Sequence, residues 1–324
     1  MIDITDIQAA AERLDGVIVR TPLLRNAELD RVANGAVLIK PECFQPIGSF
    51  KIRGAYNLLS QLSPEQAAKG VVAWSSGNHA QGVALAGKLL GIHAAIVMPE
   101  DAPAAKLEST RQLGGEIITY DRYTEDREAI ARDVAAQRGA EIVPSYEDER
   151  IIAGQGTAGL EIAEQAAELG LDVDNLLVCC GGGGLTAGCA VAMHARFPEA
   201  DIHTVEPEDF DDTARSLDSG ERVANSPDAR SICDALLTDM PGQLTYDIMR
   251  KHIKAGLTVS DAEVREAMRF AFRNLKIVVE PGGAVGLAAV LAGKVDTAGK
   301  TTAIIFSGGN VDAELFASIQ TERT

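Results

Sequence analysis

Positive charge is scarce in this sequence. The 324 residues include 30 Lys and Arg but 47 Asp and Glu, which gives a formal net charge of −17. A surface of this sign repels nucleic acid and anionic membranes, so the composition argues against either as a partner. We attribute the acidic excess to a solvated surface. Aromatic residues make up only 4% of the chain, yet 46% of it is hydrophobic, which is enough to fill a substantial core.

Cysteines are few, and no pair of them is spaced as a CxxC motif. There are five, and an odd number cannot all be joined in disulfide bonds within one chain. This usage is typical of a reducing compartment rather than of a disulfide-stabilised secreted domain. We therefore predict a cytoplasmic protein.

One uncharged run, Leu176–Met193, is long enough to resemble a membrane span. Gly181, Gly182, Gly183 and Gly184 lie in its middle and make a continuous helix costly. A strand, a glycine turn and a buried helix explain the run better. The sequence therefore predicts no membrane segment.

Strand-like and helix-like segments alternate along most of the chain, which predicts an α/β fold with two doubly wound domains. The segments between residues 70 and 147 are expected to form a small, mobile, inserted domain. Residues 1–69 and 148–324 then form the large domain from both ends of the chain. The predicted strands are 71–74, 93–98, 116–120, 141–143, 176–180, 202–206 and 302–306. The predicted helices are 78–90, 104–113, 125–138, 151–169 and one that ends at residue 196.

The four glycines also form a candidate anion site. Glycines after a strand let successive backbone N–H groups point at one position, and the following helix N-terminus adds a partial positive charge. Gly182, Gly184 and Ala187, with Glu206 at the end of the next strand, also fit a dinucleotide-binding turn in which Glu206 binds a ribose hydroxyl. The motif alone favours a phosphate ligand and leaves open whether that ligand is a dinucleotide or a monophosphate.

The segment PIGSFKIRGAYN, residues 46–57, places Lys51 at the start of a predicted helix. If Ser49 caps that helix, Lys51 lies in its first turn, where the helix dipole lowers the pKa of the amine. An amine that deprotonates easily is what covalent chemistry with a carbonyl requires. A phosphate cradle together with such a lysine points to pyridoxal phosphate, because a dinucleotide enzyme has no use for this lysine.

Five motifs follow one another along the chain: SFKIRGAYN, SSGNHAQGVA, GGGGLTAG, EPGGAVGLAA and SGGN. Together they resemble the serine/threonine dehydratase and serine racemase family of pyridoxal-phosphate enzymes, which have the tryptophan-synthase-β-like fold (fold type II). The motifs extend from residue 49 to residue 310, so the resemblance covers nearly the whole chain. It also implies a homodimer.

The resemblance implies a role for each residue of the cofactor site. Lys51 carries the cofactor covalently, and Phe50 stacks near its pyridine ring. Asn78 donates to the phenolic oxygen, Gly181–Gly184 hold the phosphate, and Ser307 faces the pyridine nitrogen. A neutral hydroxyl at that nitrogen makes the ring a moderate electron sink, which suits reactions with a good β-leaving group.

The segment Ser75-Ser76-Gly77-Asn78-His79 precedes a helix, so its hydroxyls and N–H groups can hold a substrate carboxylate. The resemblance adds a role for Ser76. Threonine dehydratases usually have alanine at this position, whereas serine racemases and 3-hydroxyaspartate dehydratases have a serine that exchanges a proton on the cofactor face opposite the lysine. Lys51 and Ser76 are then expected to act as a two-sided acid–base pair.

The same subgroup implies a divalent-cation site formed by Glu206, Asp212 and the carbonyl of Phe210. Oxygen ligands of this kind suit Mg²⁺, Mn²⁺ or Ca²⁺. The match takes Glu206 away from the ribose role and weakens the dinucleotide interpretation. We expect the ion to lie away from the chemistry.

Arg127 aligns with an arginine that this subgroup turns toward the substrate, where it is expected to hold a second carboxylate. The alternative is a surface arginine that pairs with Asp126 or Glu128. Both interpretations stay open from the sequence.

The sequence therefore predicts a lyase that removes water and then ammonia from a 3-hydroxy-L-amino acid to give a 2-oxo acid. Ser76, the cation site and Arg127 favour 3-hydroxyaspartate as the substrate, followed by L-threonine and L-serine. A serine racemase is an alternative because it forms the same carbanion. Two alternatives of other classes are a nicotinamide-dependent oxidoreductase and a non-catalytic protein that binds an amino acid or phosphate.

Overall fold

The computed structural model describes residues 1–102 and 104–322. Residues 103, 323 and 324, which the predicted domains include, lie outside the described residues. The strands are β1 (Ala36–Pro41), β2 (Val71–Trp74), β3 (Ala94–Pro99), β4 (Gly115–Tyr120), β5 (Glu141–Ile142), β6 (Asn175–Cys179), β7 (Asp201–Pro207), β8 (Ala255–Val259) and β9 (Thr301–Phe306). The helices are α1 (Ile4–Leu14), α2 (Ala27–Ala33), α3 (Lys51–Leu59), α4 (Pro64–Lys69), α5 (Asn78–Leu90), α6 (Ala104–Gln112), α7 (Arg127–Arg138), α8 (Glu149–Glu168), α9 (Gly184–Arg196), α10 (Asp212–Ser219), α11 (Gln243–His252), α12 (Asp261–Phe270), α13 (Pro281–Leu291) and α14 (Ala313–Thr321).

The larger sheet has five parallel strands in the order β1-β9-β6-β7-β8. Its central strands are buried along nearly their whole length, as expected for parallel strands that helices cover on both faces. The uncharged run at Leu176–Met193 forms β6, the glycine turn and α9, as predicted. No helix in the described ranges is long and apolar enough to cross a membrane.

The smaller sheet has four parallel strands in the order β4-β3-β2-β5 and is built from residues 71–142. Its hydrophobic packing does not stop at those residues. Ile52 and Leu58 of α3 and Ile151 of α8 lie in the same cluster as Val71 and Ile96 of the sheet. The α/β fold is confirmed, while the division into domains at residues 69/70 and 147/148 stays a prediction.

A buried ion network joins β1, α3 and α8. Arg53 of α3 donates to both carboxylate oxygens of Glu42 at 2.7 and 2.8 Å, and to both of Glu161 at 2.7 and 3.0 Å. Lys40 of β1 lies 2.6 Å from Glu161. The two positive and two negative charges balance each other away from water, as buried ions must. The network fixes the position of α3, whose first residue is Lys51.

Arg53→Met is expected to lower the free energy of unfolding by about 3–5 kcal/mol, because it leaves the buried carboxylate of Glu42 without its positive partner. Urea titration followed by circular dichroism measures the change. Arg31→Met is a matched control, since Arg31 pairs with Glu28 on the surface and is expected to show no measurable loss. Equal losses in the two variants would contradict the role of the network.

Candidate active site

The functional motifs meet where parallel strands end, which is where α/β sheets bind ligands. Ser75 follows β2, the four glycines follow β6, and Ser307 follows β9. The end of β9 is tied directly to the start of α3, because the Phe50 N–H donates to the Ser307 carbonyl at 3.0 Å. Ser49 and Gly308 extend this contact as an antiparallel bridge. Lys51 is thereby held at the carboxyl edge of the larger sheet.

The side chain of Lys51 is partly buried against protein. Its Nζ donates to the Ser145 carbonyl at 3.1 Å and lies 5.2 Å from the centre of the Phe50 ring. Burial lowers the pKa of Lys51 to about 8, although negative charge at Cys179 and Glu280 acts in the opposite direction. The sequence predicted a lowered pKa from the helix dipole, and in the structure burial is the largest contribution.

The sequence argument assumed that Ser49 caps α3, but Ser49 does not cap this helix. The residue that precedes the helix is Phe50, whose side chain makes no capping hydrogen bond. The Ser49 hydroxyl is buried and finds no hydrogen-bond partner among the described residues. Since the bridge to Gly308 holds the Ser49 backbone in place, its side chain is not free to turn to the helix N-terminus. Lys51 still occupies the first turn.

Helix α5 passes close to Lys51 because it has a glycine at the crossing. A side chain at Gly82 would lie 3.1 Å from the carbonyl carbon and oxygen of Lys51. Close approach of these two helices brings the N-terminus of α5, and with it Ser75–His79, toward the lysine. The sequence placed the two motifs in the same site only by resemblance.

The glycine turn is shaped for an anion. Gly183 has a φ of +88°, a conformation that favours glycine, and α9 begins at the next residue. Within the described residues the amides of Gly181, Gly182 and Gly183 donate to no acceptor. A side chain at Gly182 would overlap the ring of Tyr146. The turn therefore offers free N–H groups at a helix N-terminus with no room for side chains, which fits a phosphate.

A chain of polar side chains lies beside the lysine. Asn78 donates to Glu280 at 2.7 Å and accepts from Asn310 at 2.7 Å. Burial, together with the charge of Asp234, raises the pKa of Glu280 to about 7. Sequence reasoning used Glu280 only as the first letter of EPGGAVGLAA and did not assign it a role. Its position between an apolar segment and Pro281 gave no sign that the carboxylate points inward.

Ser75 and Ser76, in the loop that precedes α5, differ in their hydrogen bonds. Ser75 accepts from the Gly77 N–H at 3.1 Å, and no hydrogen bond to the Ser76 hydroxyl is found within the described residues. His79 is buried and its Nε2 donates to the Val143 carbonyl at 2.9 Å. Burial, with the positive charge of Lys51, lowers the pKa of His79 to about 3, so this ring is neutral. Roles for these residues toward a substrate stay predictions.

Arg127 is the first residue of α7 and is exposed. It pairs with neither acidic neighbour, because Asp126 caps the helix and Glu128 binds Arg132. Burial raises the pKa of Tyr146, and the charge of Arg127 opposes that rise. The role of Arg127 toward a second carboxylate stays a prediction.

Glu206 and Asp212 face each other at the carboxyl end of β7. Glu206 accepts from the Thr213 and Ala214 N–H groups at 2.9 and 2.8 Å, whereas one oxygen of Asp212 is buried without a partner among the described residues. Burial and the charge of Asp212 raise the pKa of Glu206 to about 8. Phe210 is buried in the turn between them. The described residues contain no group of three or more His, Cys, Asp or Glu side chains that could hold a metal ion.

Comparison with known proteins identifies the family. A model described as "Pyridoxal-phosphate dependent enzyme" matches residues 14–308. An L-threo-3-hydroxyaspartate ammonia-lyase from Pseudomonas sp is 46% identical over 97% of each chain. A serine racemase from Schizosaccharomyces pombe is 41% identical over 96% of this chain and 95% of the relative. The solved structure of maize serine racemase is 39% identical, with a TM-score of 0.92 over 98% of this chain and 96% of that one.

The chain therefore belongs to the family of pyridoxal-phosphate dependent enzymes, and the predicted fold class and cofactor are confirmed. The residues present fit this cofactor, since the part-buried amine of Lys51 could supply a covalent partner and the free amides of the glycine turn could supply a phosphate partner. The nicotinamide alternative loses its support, because Glu206 is bound to backbone amides and not open to a ribose.

Proposed function

We propose that this chain is an ammonia-lyase that converts L-threo-3-hydroxyaspartate into oxaloacetate and ammonia. The observation that carries the proposal is 46% identity to a relative of that name over nearly the whole length of both chains. Over the reaction one water is lost and one is taken up, so the products are the 2-oxo acid and ammonia. L-Threonine and L-serine are the next substrates in order of expectation.

When bound, pyridoxal phosphate supplies an electron-withdrawing ring that stabilises negative charge at the substrate Cα. Lys51 is proposed to hold it and then to accept the α-proton. A pKa of about 8 suits this task, because a general base works best when its pKa is near the operating pH. Phe50 and Ser307 would lie against the ring, and Asn78, which Glu280 and Asn310 hold in place, would bind its phenolic oxygen.

The loop before α5 is proposed to hold the substrate's α-carboxylate. Gly77 and Asn78 lie at the N-terminus of α5, where backbone N–H groups lack helical acceptors. Ser75 orders the loop through its bond to Gly77, which leaves the Ser76 hydroxyl free to exchange a proton. His79 stabilises the loop through its hydrogen bond to the Val143 carbonyl, and not through a charge on its ring.

The substrate proposal is tested by measuring kcat/KM for L-threo-3-hydroxyaspartate, L-threonine and L-serine with identification of products. We expect the highest value for hydroxyaspartate, with oxaloacetate and ammonia in equal amounts. Lys51→Ala is expected to lose the visible absorbance of covalently bound cofactor and essentially all turnover, because it removes the amine that serves both purposes. A strong preference for L-threonine would contradict the substrate and leave the lyase class intact.

Serine racemase is the second candidate function, and the 41% identical relative favours it. The same panel decides it, since racemisation gives D-serine from L-serine instead of pyruvate. Ser76→Ala is expected to abolish any D-serine formation and to spare part of the dehydration, because proton exchange on the second face is needed only for racemisation. Equal loss of both activities would contradict the two-face role of Ser76.

A divalent cation is proposed to bind Glu206, Asp212 and the Phe210 carbonyl. The unpartnered oxygen of Asp212 and the proximity of two buried carboxylates support it, because a hard cation would relieve both. Chelation with EDTA is expected to lower the melting temperature, and Mg²⁺, Mn²⁺ or Ca²⁺ to restore it. Asp212→Asn should abolish the response. An unchanged melting temperature after chelation would argue against the site.

We also propose a homodimer in the cytoplasm. Phe44, Phe272 and Val278 are 47%, 44% and 43% exposed. Cys43 and Val278 both lie against Gly309, which places Phe44 and Val278 on the same side of the molecule. Apolar side chains grouped in this way favour a protein partner. Sedimentation equilibrium is expected to give twice the chain mass, and Val278→Asp to shift it toward the monomer; a monomeric wild-type chain would contradict the dimer.

A further inference from the structure

An ion pair connects α6, which packs beside the smaller sheet, to a turn that packs against α13 of the larger part of the chain. Lys106 of α6 donates to Asp234 at 3.3 Å, although 128 residues separate them in sequence. Asp234 begins a short 3₁₀ turn, Asp234–Leu236, that packs against the start of α13. Within the described residues this is the one ion pair that joins residues 71–142 to the segment after residue 175.

The pair lies at the rim of the active site. A side chain at Gly181 would lie 3.4 Å from the Leu236 Cα, and one at Gly282 would lie 3.1 Å from the Leu236 side chain. The turn that holds Asp234 therefore bridges the glycine turn and the helix that follows Glu280. Burial chiefly raises the pKa of Glu280, with Asp234 adding to the rise and Lys106 opposing it, so both charges act on the interior of the site.

The contact between Lys106 and Asp234 is easily exchanged. Their side chains are 33% and 62% exposed, and the distance of 3.3 Å is long for a charge-assisted hydrogen bond. Exposed pairs of this kind contribute little to stability. Lys106 can therefore leave Asp234 for another carboxylate at small cost.

The distal carboxylate of an acidic 3-hydroxy amino acid needs a cation to bind it. If the α-carboxylate lies at the N-terminus of α5 as proposed, it is next to Asn78, which donates to Glu280. Asp234 and Lys106 are the charged pair nearest this part of the site that the contacts above identify, and Lys106 is its cation.

We propose that Lys106 is a specificity-determining residue, whose ammonium leaves Asp234 and binds the distal carboxylate of the substrate. The inference rests on the proposed function and assigns its selectivity to one side chain. L-Threonine has a methyl group in place of this carboxylate, so it cannot replace Asp234 as the partner of Lys106.

The test measures kcat/KM of the holoenzyme for L-threo-3-hydroxyaspartate and L-threonine. Lys106→Gln is expected to lower the first by about 10–100-fold, the usual effect of losing a hydrogen bond to a charged group, and to change the second by less than about threefold. Lys106→Arg is expected to restore most of the loss. Lys88→Gln makes the same charge change on α5, where Lys88 binds only the Gln112 carbonyl, and should alter neither value.

Binding gives a second measurement that needs no turnover. Malonate and acetate are titrated into the holoenzyme, with the cofactor absorbance as the signal. Lys106→Gln is expected to weaken malonate binding and to leave acetate binding unchanged, whereas Asp234→Asn is expected to tighten malonate binding because it removes the competing carboxylate.

Two results would overturn the role of Lys106. One is that Lys106→Gln lowers kcat/KM equally for both substrates and weakens the binding of both anions equally. Lys106 would then only connect α6 to the turn that holds Asp234. The other is loss of selectivity in Arg127→Gln but not in Lys106→Gln. A wild-type enzyme that prefers L-threonine would instead contradict the proposed function, and the malonate titration would still decide whether Lys106 binds a second carboxylate.

Discussion

Desolvation of one amine is the constraint on which the site depends. Lys51 begins a helix, lies against Phe50 and donates to the Ser145 carbonyl, so its charged form has lost part of its water. Lowering its pKa from 10.5 to about 8 leaves roughly 300-fold more neutral amine at pH 7. Neither a nearby positive charge nor a metal is needed for this shift. The close crossing at Gly82 and the bridge at Ser49 hold the surrounding backbone in place.

The charges around that amine are arranged in two groups with different surroundings. Asn78 and the buried Glu280 form a hydrogen-bonded pair, in which a carboxylate with a raised pKa accepts from an amide. Lys106 and Asp234 form an open pair at the rim. The inner pair is fixed because unbonded polar groups are costly inside a protein, and the outer pair is exchangeable because water competes for it. The fixed pair therefore lies in the interior of the site, and the exchangeable pair lies at its rim.

Local sequence predicted the elements whose pattern is local. The bounds of β2 and α5 agree with the prediction, and Lys51 lies in the first turn of its helix as expected. The edge strands β1 and β8 were missed. Strand β1 contains the buried Lys40 and ends at Pro41, and its lysine is satisfied by an ion pair with Glu161 and by hydrogen bonds to the Thr21 carbonyl and to Gln165. The inward carboxylate of Glu280 and the pair at the rim depend on residues far apart in the chain, so no periodicity could reveal them. The glycine motif alone left the ligand between a dinucleotide and a monophosphate, Lys51 pointed to pyridoxal phosphate, and the likeness of whole motifs to a family then indicated the subgroup.

The buried network of Lys40, Glu42, Arg53 and Glu161 has a consequence for how the chain folds. None of these four ions can be desolvated stably by itself, so β1, α3 and α8 must dock together or not at all. A partly collapsed chain that buries only some of these ions leaves a charge without its partner away from water, and this charge destabilises the collapsed state. Because the helix that begins at Lys51 carries one of the four, the position of Lys51 depends on this docking step. Formation of the buried ion network is therefore a condition for ordering the active site.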